Sequence, residues 1–205
     1  MPNGAGDTST TTGLRVGVLA LQGAFEAHQE RLIEIGVDAP LIRTPLDLET
    51  VDAVVLPGGE STTMSRLLTT SGLFDALEDR FAEGMPVFGT CAGMILCAAD
   101  VLDGRSDQRG FDLIDLTVRR NGYGRQLESF ESDINVAGLD EPFHAVFIRA
   151  PFVERIGDDV EILASLDGVA VLVRNQRCTV AAFHPELTND VRLHEIFVSS
   201  LKTSH

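Results

Sequence analysis

A cysteine stands where a short aliphatic run meets a helical pattern, in Pro86-Val87-Phe88-Gly89-Thr90-Cys91-Ala92-Gly93-Met94-Ile95-Leu96, and near the other end comes Phe183-His184-Pro185-Glu186. Nucleophile, base and orienter are the chemistry these types spell. Gly89 and Gly93 allow a tight strand-to-helix turn that presents the Cys91 sulfur, as in a nucleophile elbow. A helix starting at Ala92 offers free N–H groups and positive potential that favour a thiolate, the reactive form. His184 and Glu186 are two apart, so an extended backbone sends both side chains to one face. The carboxylate then fixes the imidazole tautomer while the imidazole takes the thiol proton. Alone, a His-x-Glu is more often a surface or core feature, and a cysteine after a strand is more often a small buried hydrophobe. Their occurrence together in one α/β chain tips the balance toward catalysis.

Leu56-Pro57-Gly58-Gly59-Glu60-Ser61-Thr62-Thr63 follows an apolar run and opens a helix. Ser61 or Thr62 suits an N-cap. The chemical alternative is an oxyanion hole, the Gly59 and Ala92 N–H groups facing charge on a carbonyl attacked by Cys91. The Gly-Lys-Ser/Thr ending of a nucleotide loop is missing. Two further runs end in arginine, Thr117-Val118-Arg119-Arg120-Asn121-Gly122-Tyr123-Gly124-Arg125-Gln126 and Phe147-Ile148-Arg149-Ala150-Pro151. A guanidinium fork suits a carboxylate-bearing substrate, although a surface ion pair is the simpler use in an acidic chain.

The elements that must position these groups alternate in type over the first hundred residues. Buried strands are expected at 14–21, 39–43, 51–56 and 86–89, and helices at 25–35, 61–68, 73–83 and 92–102. That rhythm predicts a parallel sheet covered on both faces, with ligands at the carboxyl ends of its strands. From residue 111 the runs turn β-rich (111–118, 129–136, 145–149, 160–165, 169–174, 178–183), some extending the sheet as antiparallel strands, and a helix over 190–201 closes the chain. Residues 104–110 read as a mobile loop.

The 205 residues suffice for one aliphatic α/β domain over 14–205, preceded by a Gly, Ser and Thr rich stretch, 1–13, that reads as a disordered tail. Acids outnumber bases 31 to 16, a net charge of −15, which argues against nucleic acid. No apolar run reaches the ~18 residues of a membrane span. Three cysteines, at 91, 97 and 178, form neither a disulfide framework nor a zinc pattern, so no metal is expected and a reducing cytoplasm fits.

Leu19-Ala20-Leu21-Gln22-Gly23, Pro57 to Thr63, Gly89 to Gly93, Arg120-Asn121 with Gly124-Arg125-Gln126, Phe147 to Pro151 and Phe183 to Leu187 together resemble the glutaminase subunits of pyridoxal 5'-phosphate synthase, the PdxT/SNO family of class I triad glutamine amidotransferases. The resemblance runs from about residue 15 to 201. It implies a flavodoxin-like three-layer α/β/α sandwich and hydrolysis of L-glutamine to glutamate and ammonia through a thioester, with no cofactor. The ammonia would pass to a separate synthase subunit (PdxS/SNZ type) in a hetero-oligomer that makes vitamin B6. By position, the resemblance makes Cys91 the nucleophile, His184 the acid/base and Glu186 its orienter. Gly59, Glu60 and Ser61 would hold glutamine together with Arg120, Ile148 and Arg149, and Gln22 would couple the site to the partner. Tyr123 stands where the family usually has Phe. The competing expectations are another cysteine hydrolase of the same broad fold and a non-enzymatic interaction subunit.

Overall fold

The computed structural model describes residues 13–120 and 129–202. Asn121 and the Tyr123 to Gln126 motif therefore lie outside the described residues, as do residues 1–12 of the expected tail.

Five parallel strands form the heart of the sheet: β1 (Val16–Leu19), β2 (Leu41–Ile42), β3 (Ala53–Leu56), β4 (Val87–Thr90) and, from far along the chain, β12 (Cys178–Ala181). They run in the order β2-β1-β3-β4-β12, and β11 (Val169–Arg174) and β10 (Glu161–Leu166) add antiparallel strands beyond β12. β1 and β3 are apolar throughout, β4 is apolar up to Thr90, and all three are fully buried, as a sheet covered on both faces requires. The helices are α1 (Phe25–Glu34), α2 (Pro45–Leu48), α3 (Ser61–Ser71), α4 (Leu73–Ala82), α5 (Ala92–Cys97) and α6 (Arg192–Lys202). The expected mostly parallel three-layer α/β architecture is present.

β4 shows how the two faces divide. Side chains alternate along a strand, and Phe88 stacks on Phe197 of α6 while Thr90, two residues on, meets His28 of α1. Gly89 faces the other way and backs onto α5, where a Cβ would lie 2.8 Å from the Gly93 carbonyl carbon. Glycine here lets the helix behind the cysteine sit directly on the sheet.

Two smaller sheets cover the carboxyl end. β5 (Ala98–Val101), β6 (Ile114–Arg119) and β9 (Phe152–Ile156) form one, and β7 (Ser129–Ile134) with β8 (Phe143–Ile148) form an antiparallel hairpin. The helix expected over 92–102 is thus corrected: it stops at Cys97 and becomes strand β5. Its last carbonyls explain the stop, because Leu96 O and Cys97 O accept from Phe111 N (2.7 Å) and Leu113 N (2.8 Å) leading into β6. Strand β9 and the single turn α2 have no counterpart in the sequence expectations. Within 104–110, expected to be mobile, the C-terminal half is tied to α3 and α4: Arg109 N donates to Ser65 Oγ at 2.8 Å, and its guanidinium pairs with Asp75 and Glu78.

Candidate active site

The chain leaves β4 through Cys91, whose φ of 49° and ψ of −100° put a non-glycine residue in a region that costs about 1–3 kcal/mol. Surrounding bonds hold it there: Cys91 N donates to Ala181 O of β12 at 2.8 Å, and Ile95 N donates to Cys91 O at 3.3 Å. The sulfur lies 3.8 Å from the Ile148 carbonyl oxygen at the end of β8.

His184 and Glu186 meet differently from the expectation. β12 ends at Ala181, and Pro185–Leu187 is a 3-10 turn, so alternation along an extended strand is not what joins them. Pro185 takes the first helical position, where its missing N–H costs nothing. The turn brings His184 Nδ1 to 2.8 Å from Glu186 Oε1, while His184 N donates to Val146 O of β8 at 2.8 Å. The imidazole also hydrogen-bonds Cys91. Burial opposes its charging, but the hydrogen bonds to Cys91 and Glu186 outweigh burial and raise its pKa to about 10. Glu186 is 3% exposed; burial pushes its carboxyl up, and His28 and His184 more than reverse that, so it is held low. Cysteine, imidazolium and carboxylate thus form one line at the carboxyl ends of β4 and β12.

Gly58 packs against this line. A Cβ there would overlap the His184 ring and lie 3.4 Å from the Cys91 Cβ. The turn is held from behind by Gln22, whose Nε2 donates to Glu60 O at 3.0 Å. Glu60 itself, rather than Ser61 or Thr62, caps α3: its carboxylate accepts from Thr62 N (3.0 Å), Thr63 N (2.7 Å) and Thr63 Oγ1 (2.7 Å). Arg120 reaches the same carboxylate at 2.7 Å. Ser61 is buried, with its hydroxyl 3.4 Å from Gln108 Oε1.

A 490 Å³ pocket opens over the sulfur, lined by Gly59, Glu60, Ser61 and Arg120 on one side and Ile148, Arg149, Ser129 and His184 on the other. Every residue expected to bind substrate borders it, and Glu186 stands behind His184. Arg149, exposed and at φ 45°, has no ion-pair partner among the described residues. A larger hollow of 620 Å³, between Arg80, Glu83 and Arg177 at the amino ends of the strands, is lined by no cysteine, serine or histidine among the described residues. Sequence reasoning missed His28, Thr90 and His194, which line up behind Glu186, and Gln108 beside Ser61. His28 sits four residues before Leu32 on the buried side of α1, a pattern that by itself indicates only a core face.

Residues 18–203 match the SNO glutamine amidotransferase family. The chain is 52% identical over 187 residues to "Pyridoxal 5'-phosphate synthase subunit PdxT" of Mycobacteroides abscessus, covering 91% of this chain and 97% of that protein. It is 53% identical over 201 residues to the protein of that name from Mycobacterium sp. strain KMS, covering 97% and 96%. Among solved structures, a glutamine amidotransferase superposes with a TM-score of 0.86 at 45% identity, covering 91% of this chain and 98% of that one. PurLQS from Thermotoga maritima superposes with a TM-score of 0.63 at 15% identity, a likeness of fold alone.

Proposed function

The chain belongs to the SNO glutamine amidotransferase family, and from that premise we propose that the pocket over Cys91 hydrolyses the side-chain amide of L-glutamine and supplies the ammonia to pyridoxal 5'-phosphate synthesis. The observation that carries the proposal is the hydrogen-bonded succession Cys91, His184, Glu186, with the His184 pKa raised to about 10.

Cys91 attacks the amide carbon and the negative charge moves to the carbonyl oxygen, facing the Ala92 and Gly59 N–H groups. His184, held protonated by Glu186, gives its proton to the departing nitrogen, and ammonia leaves a glutamyl thioester. Water then attacks the thioester; His184 takes its proton, glutamate departs and the thiolate returns. Arg120 and Arg149 offer guanidinium groups to the substrate's α-carboxylate, with Glu60, Ser61, Gly59 and Ile148 shaping the rest of the pocket. Relatives carry the name of one subunit of a synthase, so ammonia has a destination in a partner synthase subunit of a hetero-oligomer, working in the cytoplasm.

The Gly58-Gly59 turn is the natural place for that partner to act. Gln22 grips it through Glu60 O, and turning the Gly58-Gly59 peptide would complete or dismantle the oxyanion site. Glutamate release from the full chain, alone and mixed with the synthase subunit, tests the proposal. Release that rises on mixing is expected, and no release in either state overturns the glutaminase assignment. Equal rates overturn the coupling.

A further inference from the structure

Glu186 Oε1 is committed to His184, which leaves Oε2 of a carboxylate in the protein interior to be satisfied. It points at α1, where the ring of His28, 0% exposed, brings Nε2 to 3.2 Å. The same Nε2 lies 3.0 Å from Thr90 Oγ1, its better aligned partner, so the approach to Oε2 is chiefly electrostatic. On the other side, His28 Nδ1 lies 3.0 Å from Nε2 of His194 on α6, also 0% exposed. Three elements, α1, β4 and α6, thus meet at the His28 ring, whose Nε2 edge is the charge-facing neighbour of an Oε2 that has no hydrogen-bond partner among the described residues.

The arrangement selects one pattern of protons. A lone pair on His28 Nε2 would confront a carboxylate oxygen in a poorly screened interior, so Nε2 carries the hydrogen. His28 Nδ1 is then an acceptor and takes the hydrogen of His194 Nε2. His194 Nδ1 is left as a bare lone pair with no partner among the described residues. The opposite tautomers would leave a buried N–H there instead, the rarer and costlier kind of orphan. Burial is the largest effect on each ring and favours the neutral form: it holds His28 low against the pull of Glu186, and His194 well below the ordinary range, helped by the Arg31 charge. The groups whose charge bears on this pair are Glu186, His184 and Arg31.

We propose that His28 is a positioning residue for glutamine hydrolysis: a neutral N–H, oriented by His194 and Thr90, that fixes the Glu186 carboxylate so its other oxygen meets His184. The inference rests on the glutaminase reading of the pocket. A neutral donor suits the task, because a charged His28 would compete with His184 for the single carboxylate charge and weaken the imidazolium that protonates ammonia. Threonine at 90, directly before the nucleophile, ties this support to the elbow itself.

The test uses the full chain with its synthase subunit and measures glutamate release across pH for His28→Leu, His28→Gln and Thr90→Val. Outer-shell partners of metal-bound histidines are worth about 10- to 100-fold, and a loss of that order is expected for a partner that orients the carboxylate behind His184. His28→Leu should lose that much in kcat with KM within about twofold, and its alkaline limb should move to lower pH because His184 is less firmly protonated. His28→Gln, which keeps an N–H at the far end of the side chain, should recover most of the rate and the limb. Thr90→Val should fall between them. Leucine and glutamine variants that both match wild type, or that lose rate equally without a shifted limb, would overturn the inference, as would a loss carried by KM alone. If His28→Leu does not fold, His28→Gln and Thr90→Val decide: a normal limb in Thr90→Val, or a fully lost rate in His28→Gln, counts against it. A wild-type chain that releases no glutamate would instead remove the glutaminase reading beneath it.

Discussion

The two sides of the pocket are built from different material. Cys91, His184 and Glu186 sit at or just beyond the ends of central parallel strands, each nearly buried, with Cys91 and His184 tied by backbone bonds to β12 and β8 and Glu186 held in the 3-10 turn that follows. Opposite them, Glu60, Arg120, Ile148 and Arg149 stand on a loop, the end of β6 and the end of the β7-β8 hairpin, exposed or half-buried. Backbone strain at Cys91 is held by the packed core, whereas the charges that line the pocket opposite it hang on elements at the periphery. With chemistry on the rigid half and recognition on the adaptable half, as proposed above, a partner would be able to alter the second without disturbing the first.

If that division is right, damage to the core half should act on kcat and damage to the rim on KM. Cys91→Ala gives the largest effect: at least about 10⁴-fold loss of glutamate release, while synthesis from added ammonium persists. The same variant tests the charge line through stability. His184 at about 10 lies above its ordinary 6.5, so its contribution is fully present below about 6.5 and is lost as pH rises through about 10. Cys91→Ala removes one of the two hydrogen bonds that raise it, and its melting temperature should fall less steeply over that window than that of the wild type. Gly58→Ala comes next. A methyl placed against the His184 ring displaces the base, with about 10²- to 10³-fold loss in kcat and about 1–3 kcal/mol of overpacking, read by turnover and denaturant unfolding. An unchanged kcat would break the claim that this turn and the imidazole are in contact.

On the rim, Arg120→Met should raise KM about tenfold with kcat within about threefold, a loss of roughly 1.4 kcal/mol of substrate binding. A loss confined to kcat would erase the distinction between the halves. The ion pair of Arg120 with Glu60 is compatible with this use, because the hydrogen bonds that hold Glu60 low come chiefly from Thr63 and Thr62, not from Arg120. Arg120 can turn to a substrate carboxylate and leave the helix cap in place.

How far each half was legible in the sequence follows the same line. The elbow was readable because glycine at 89 and 93 is demanded by close approach, a local constraint that leaves a local mark. The His184 and Glu186 pairing was readable by type but not by geometry: Pro185 converts the strand end into a 3-10 turn. The early end of α5 was hidden because the amides that take its last carbonyls come from residues 111 and 113. Likewise β9 depends on pairing with β6, more than thirty residues earlier. His28 and His194 were invisible for a different reason. A buried histidine on a helix face looks the same whether it faces a phenylalanine or a carboxylate, and only the tertiary fold distinguishes them.

The smallest expected effect belongs to Glu60, the one rim residue with a structural duty as well. Its carboxyl is held at about 2 against an ordinary 4.5: burial opposes the shift, and the Thr63 hydroxyl with the Thr62 and Thr63 amides overcomes it. A depressed acid stabilises the fold above its unfolded value and loses that contribution as pH falls through the folded one. The cap should therefore contribute fully above pH 4.5 and fade toward pH 2. Because half the side chain is exposed, solvent screening keeps its worth to that of an ordinary helix cap, about 1 kcal/mol. Glu60→Ala should accordingly lower the melting temperature by about 2–4 °C at pH 7, with the difference shrinking as acid is added. Glu60→Gln separates the two duties, since an amide oxygen still accepts from the Thr62 and Thr63 amides but no longer attracts Arg120. It should restore most of the melting temperature while leaving glutamine KM altered, and a KM that recovers together with stability would mean that the rim binds substrate only by being folded.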